Sequence, residues 1–146
     1  MAQPAAEHAL SVTVIVTSKG KELFDRWQRP SVDPFSVEPV GIARRGQFIS
    51  AVVLFKGCKP DAAGMCNLSM DITAYAPDGS RYGAFPGAEL WQGKPGPDKG
   101  FTQLGRDYMG LVIEPNDPAG TYRVTVVARD QNANTTVSGE STFAVK

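Results

Sequence analysis

The sequence predicts an all-β protein, an antiparallel sandwich of two sheets with about seven strands and at most one short helix. Three observations lead there. Short runs rich in β-branched and aromatic residues recur along the chain; several of them alternate apolar and polar side chains at period two; and clusters of Gly, Pro, Asn and Asp divide one run from the next.

The first run, "LSVTVIVT" (10–17), places Leu10, Val12, Val14 and Val16 on one side of a strand. "GKELFDRWQ" (20–28) is the one stretch with helical spacing. A turn or two there would set Leu23, Phe24 and Trp27 against the core before Pro30 and Pro34 stop it. "QFISAVVLF" (47–55) is apolar at nearly every position, the mark of a central strand covered on both faces. "NLSMDITAYA" (67–76) alternates, with Leu68, Met70, Ile72 and Ala74 inward and Asn67, Ser69, Asp71 and Thr73 toward water. "APDGS" turns the chain, Pro77 presetting φ and Gly79 taking the left-handed position. The stretch 86–100, "PGAELWQGKPGPDKG", is dense in proline and glycine and reads as a long exposed loop carrying Trp91. "MGLVIE" is a further strand. "TYRVTVVARD" buries Tyr122, Val124, Val126 and Ala128, and "TTVSGESTFAVK" closes the fold.

The 146 residues suit one domain with its own core, spanning residues 10–146. Lys plus Arg and Asp plus Glu both number 15, and no basic cluster exceeds Arg44–Arg45, so nucleic acid is not an expected partner. Apolar runs such as "AVVLF" fall well short of the ~20 residues that cross a bilayer, and no membrane insertion is expected. Residues 1–9, "MAQPAAEHA", read as a flexible tail left after an export signal is removed. They would equally suit an unstructured cytosolic N-terminus.

The two cysteines arbitrate. Cys58 and Cys66 are too far apart for a Cys-x-x-Cys redox pair and too few for a structural zinc site, given His8 as the single histidine. Met65, Cys66 and Met70 could offer sulfur to copper(I), although Met70 alternates inward, where methionine packs cores. The favoured reading is a disulfide across the mouth of a hairpin loop, Cys58 ending one strand and Cys66 starting its neighbour. Such a clip implies an oxidising compartment, periplasmic or extracellular. Catalysis has little to work with: His8 lies in the tail, and Asp71, Asp78, Glu89, Asp98, Asp107, Glu114 and Asp117 read as solvated turn acids. Neither an enzyme nor a cofactor is expected.

"DPAGTYRVTVVARD" (117–130) resembles the turn and following strand of immunoglobulin-like domains, in which Tyr122 would supply a corner hydroxyl; Asp117 stands one residue earlier than the usual Asp-x-Gly-x-Tyr spacing places it. Together with "RRGQFISAVVLFKGC" and "APDGS", the chain resembles small exported bacterial immunoglobulin-like proteins of unknown function, similar in outline to macroglobulin-type modules. The resemblance implies a sandwich and export, and no chemistry. The expected function is protein binding through loops or a sheet edge, with Leu90, Trp91 and Lys94 as contact residues; Trp91 could instead fold back and plug the sandwich. A protease inhibitor presenting residues 86–100 and a small-ligand or copper(I) carrier are the alternatives.

Overall fold

The computed structural model describes residues 9–27 and 38–146. Residues 1–8 of the expected tail, with His8, and the helix-stopping Pro30 and Pro34 lie outside the described residues. In chain order the elements are β1 (Ser11–Thr17), α1 (Gly20–Arg26), β2 (Ile42–Ala43), β3 (Phe48–Lys56), β4 (Met65–Tyr75), β5 (Arg81–Pro95), β6 (Thr102–Leu104), β7 (Met109–Val112), β8 (Gly120–Asp130) and β9 (Thr135–Val145). Two of the unforeseen strands, β2 and β6, are only two and three residues long, too short for a periodic signal.

One sheet is built on β3, which pairs antiparallel with β1 along one edge and with β7 and then β6 along the other. The second runs β2-β9-β8-β4-β5, antiparallel except for the short parallel pair β2–β9. The alternating residues of β4 and β8 meet those of β3 between the sheets: Leu68, Met70, Ile72, Tyr122, Val124 and Val126 pack with Ile49, Val53 and Phe55. The other face of β3 is covered as well. Val52 and Leu54 join Leu104 and the helix residue Leu23 in a separate cluster, flanked by Ile15, Phe24 and Trp27. That double coverage explains the unbroken apolar run of β3, and it fixes α1 on the outside of the first sheet. Gly20 permits the approach, since a Cβ there would lie 2.7 Å from Ser50 Oγ.

Three expectations need correction. Residues 86–95 are strand, not loop. They form the outer half of β5, the edge of its sheet, where proline needs no ladder partner and where Gly87 (φ 64°) and Gly93 (φ 66°) accommodate repeated register shifts against β4. Ser69 is buried rather than solvated, because in register it is flanked by Glu89 on β5 and Arg129 on β8. Finally, β3 and β4 are not a hairpin: they belong to different sheets, so residues 57–64 arch from one layer to the other. The expected disulfide is present, Cys58 to Cys66, and it ties the foot of that arch between the layers.

The tyrosine corner forms. Tyr122 Oη donates to the Pro118 carbonyl at 2.7 Å. The early placement of Asp117 has a separate use: its carboxylate accepts from Tyr82 Oη and from Glu114 N (2.7 Å), while Arg45 binds the carbonyls of Glu114 (3.0 Å) and Asp117 (2.6 Å). These bonds hold the Asp117 carboxyl below its ordinary range, Tyr82 first and Glu114 N next. Burial, and then the same carboxylate, push the Tyr82 phenol upward. The motif that carried the resemblance is thus a cross-braced turn between the sheets.

Candidate aromatic contact face

After β6 the chain leaves the first sheet and touches the second. Gly105 N donates to Val53 O at 2.7 Å, Arg106 N to Leu90 O at 2.9 Å and Asp107 N to Glu89 O at 3.0 Å, while Asp107 Oδ2 accepts from Glu89 N at 2.7 Å. Only glycine fits the crossing point: a Cβ on Gly105 would lie 2.7 Å from Leu90 Cδ1 and 3.0 Å from Val53 O. This connector seals the outer edge of β5 at its middle, and the glycine bulges and prolines interrupt the remainder. The β1 edge is partly occupied too, Val16 O accepting from Val40 N at 2.8 Å. Natural sheets blunt their edges in these ways against unwanted strand addition.

Beside the connector lies a cleft of about 560 Å³, bounded by Phe24 and Trp27 from α1 and its end, Trp91 and Lys94 from β5, the segment Pro95–Asp98, and Gln103–Arg106. The Trp91 indole is half-buried. It packs against Phe55 (centroids 5.7 Å apart), its Nε1 donates to Pro95 O at 2.9 Å, and Lys94 Nζ stands 4.7 Å from the ring centroid while also reaching Glu89 at 3.3 Å. Trp91 thus packs back on the sandwich through Phe55, and the rest of its ring forms a cleft wall. Leu90 is corrected outright. It is 0 % exposed in the core, since the bulged strand turns it inward toward Gly105, and it offers nothing to a partner.

Around the other side of α1 a smaller groove of about 240 Å³ is lined by Phe24, Phe48 and Tyr108, with polar residues at its rim. Phe48 (55 % exposed) and Tyr108 (42 %) are two of three large hydrophobic side chains exposed among the described residues. Phe48 covers Gly110, where a Cβ would lie 2.6 Å from its ring, and Tyr108 sits against Phe24 at 5.3 Å. Phe24 borders both depressions, so Phe48, Tyr108, Phe24, Trp27 and Trp91 form one aromatic belt around the helix. Sequence reading missed Phe48 and Tyr108. Their signal was present, as aromatics at the ends of β-runs, but nothing local says which side of a strand end stays uncovered.

Cys66 sulfur is bonded to Cys58, so the set Met65, Cys66, Met70 has no thiolate, and Met70 is in the core. Among the described residues no three His, Cys, Asp or Glu side chains gather as a ligand set. The acids are mostly engaged: Asp71 takes a two-pronged ion pair from Arg129 (3.0 and 3.1 Å) and a bond from Gly87 N, which together hold its carboxyl low, and Asp78 caps its own turn through Ser80. The buried Asp130 carboxylate accepts from Lys59 N at 2.9 Å, tying the disulfide arch to the β8–β9 turn.

The topology and corner define an immunoglobulin-like β-sandwich. No known protein family and no curated protein matches the chain. Among solved structures it is similar to the CARDB domain of a Pyrococcus furiosus protein, crystallised in complex with di-metal ions (12 % identity over 94 % of this chain and 88 % of that one, TM-score 0.47). It is similar also to a Niemann-Pick type C2 protein from the Japanese carpenter ant (10 %, 92 % and 92 %, 0.46) and to an immunoglobulin-like protein from Pseudomonas aeruginosa (17 %, 97 % and 99 %, 0.39). At such identities the likeness is one of fold.

Proposed function

We propose that this chain is a non-enzymatic binding module of an oxidising compartment, periplasmic or extracellular, and that it holds another protein on the aromatic belt around α1. The observation that carries the reading is the clustering of Phe48, Tyr108, Phe24, Trp27 and Trp91 around α1, with Lys94, Asp98, Arg106, Lys21, Glu22 and Asp25 beside them, since aromatic side chains ringed by polar groups are what interface centres are made of. A peptide segment offering prolyl or aliphatic side chains fits better than a glycan. Stacking a sugar needs free ring faces and free polar groups, whereas Trp91 is occupied by Phe55 and Lys94, Phe24 by Tyr108, and Gln103 is buried with its amide on Leu104 O. The disulfide supports the compartment, and no described helix is long and apolar enough to cross a membrane.

The inhibitor alternative keeps only residues 96–100 of its 86–100 loop, because 86–95 are paired strand. Site-specific photo-crosslinking tests the proposal. A benzophenone amino acid placed at Tyr108 should capture a discrete protein from an extracytosolic extract, and the adduct should vanish when Phe48 and Phe24 are both changed to Ser. The same group at Tyr75, on the far sheet beneath Arg123, should capture nothing. Equal capture at both positions, or an adduct indifferent to the serine changes, refutes the belt as the contact face.

A further inference from the structure

The disulfide lies directly under one wall of the cleft. Cys58 and Cys66 are 4 % and 1 % exposed, and Gly96 rests on both sulfurs: a Cβ at position 96 would lie 2.7 Å from Cys66 Sγ and closer still to Cys58 Sγ. Gly96 is not at a positive φ. Its glycine answers a need for space above the sulfurs and not a backbone requirement. The flanking residues line the cleft: Pro95, whose carbonyl holds the Trp91 indole, and Pro97. Trp91 in turn leans on Phe55, one residue before the end of β3 and three before Cys58. Sulfur bridge, proline wall and indole are consecutive layers of one stack.

From this we infer that the Cys58–Cys66 bond is a redox latch for the cleft: closed, it sets the Pro95–Pro97 wall and Trp91; opened by a dithiol reductant, it releases them while the sandwich persists. In the exchange one donor thiolate bonds to a cysteine sulfur and the other cysteine sulfur leaves as thiolate and takes a proton. The donor's second thiol then displaces the first cysteine. Two cysteine thiols and an oxidised donor result, with two electrons and two protons transferred. Gly96 shields both sulfurs, so the donor reaches them only when the wall lifts. The coupling is reciprocal, and a ligand that holds the wall down slows reduction. The remainder of the arch is tied independently by Asp130 to Lys59 N and by Asn132 Nδ2 to the carbonyls of Lys59 (2.8 Å) and Met65 (3.0 Å), which lets the fold survive the opening.

The inference rests on the cleft as a binding site, but its test needs no ligand. Both tryptophans of the chain, Trp27 and Trp91, line the cleft, so 5-fluorotryptophan gives two fluorine resonances, assigned with Trp27→Phe. After dithiothreitol, with two thiols titrated, the Trp91 resonance should shift and broaden and its acrylamide quenching rise at least two-fold, while far-ultraviolet circular dichroism keeps its strand signal. Gly96→Ala should displace the same resonance in the oxidised protein. The inference is overturned if Trp91 is unchanged in protein carrying two free thiols, if the strand signal collapses with reduction, if native protein resists dithiothreitol, or if Gly96→Ala leaves the resonance in place. Each of these leaves crosslinking by the oxidised protein unaffected, so the two readings fail separately.

Discussion

Gly105→Ala examines the crossing between the sheets at one methyl group. The added Cβ would sit 2.7 Å from Leu90 Cδ1 and 3.0 Å from the Val53 carbonyl, and Leu90 and Val53 are themselves fully buried. A side chain can yield where a backbone carbonyl cannot, so the clash should be relieved in part by shortening its partner. Overpacking of this kind costs roughly 1–3 kcal/mol, and Leu90→Val, a loss of one methylene in the core, about 1 kcal/mol. The double variant should then lose less than the sum, with a coupling of at least about 0.5 kcal/mol in the relieving direction, which is above the usual additivity error. Urea unfolding of the four proteins measures it, and a constant m-value is needed for the comparison. Gly83→Ala is the control: its Cβ would meet Leu111 Cδ2 at 3.6 Å, an ordinary contact, and stability should move by no more than about 0.5 kcal/mol. Additive losses in the double variant would show that Leu90 and Gly105 do not meet as described, and the connector would need another account.

Other outcomes follow from the same contacts. Tyr122→Phe removes the corner bond to Pro118 O while leaving the ring between Tyr82 and Phe143, and should cost about 0.5–1.5 kcal/mol by chemical denaturation. Asp117 and Asp71 have carboxyls held below their unfolded values, so their contribution is complete above about pH 4–5 and is lost as the pH falls through the folded pKa; Asp117→Asn should flatten the acid limb of the stability–pH curve. Arg129→Met should cost about 1 kcal/mol or less, and the loss should shrink in high salt because the ion pair is partly exposed. Cys58→Ser with Cys66→Ser should lower stability by roughly 2–3 kcal/mol, the loop-entropy value for so short a ring, with the strand spectrum retained.

Where a segment's period alone decides its structure, the sequence was readable. β4 and β8 bury the alternating residues their pattern names, the first run buries Leu10, Val14 and Val16 with Val12 partly covered, the double coverage of β3 follows from its composition, and on α1 Leu23 is buried with Phe24 and Trp27 packed partly against its cluster. The errors have a shared cause. Proline and glycine in 86–95 look like loop because their cost in a strand depends on whether that strand is an edge, which is a property of the whole sheet. The arch at the cysteines looks like a hairpin because a short turn between two strands does not reveal whether they pair with each other or with strands far along the chain. The belt was half visible for a similar reason. Trp91 and Lys94 stood out locally, while Phe48 and Tyr108 join them only once α1 is laid across β3, and Leu90 was lost to the core by a bulge that no neighbouring residue announces.

Hydrogen exchange on the isolated protein and on its crosslinker-captured complex bears most directly on the account. The aromatic belt as contact face predicts that amides of 20–27, 91–98 and 103–110 slow several-fold on binding, while those of β8 and β9 exchange at unchanged rates. Protection confined to β8 and β9, with the helix and cleft unaltered, would contradict it.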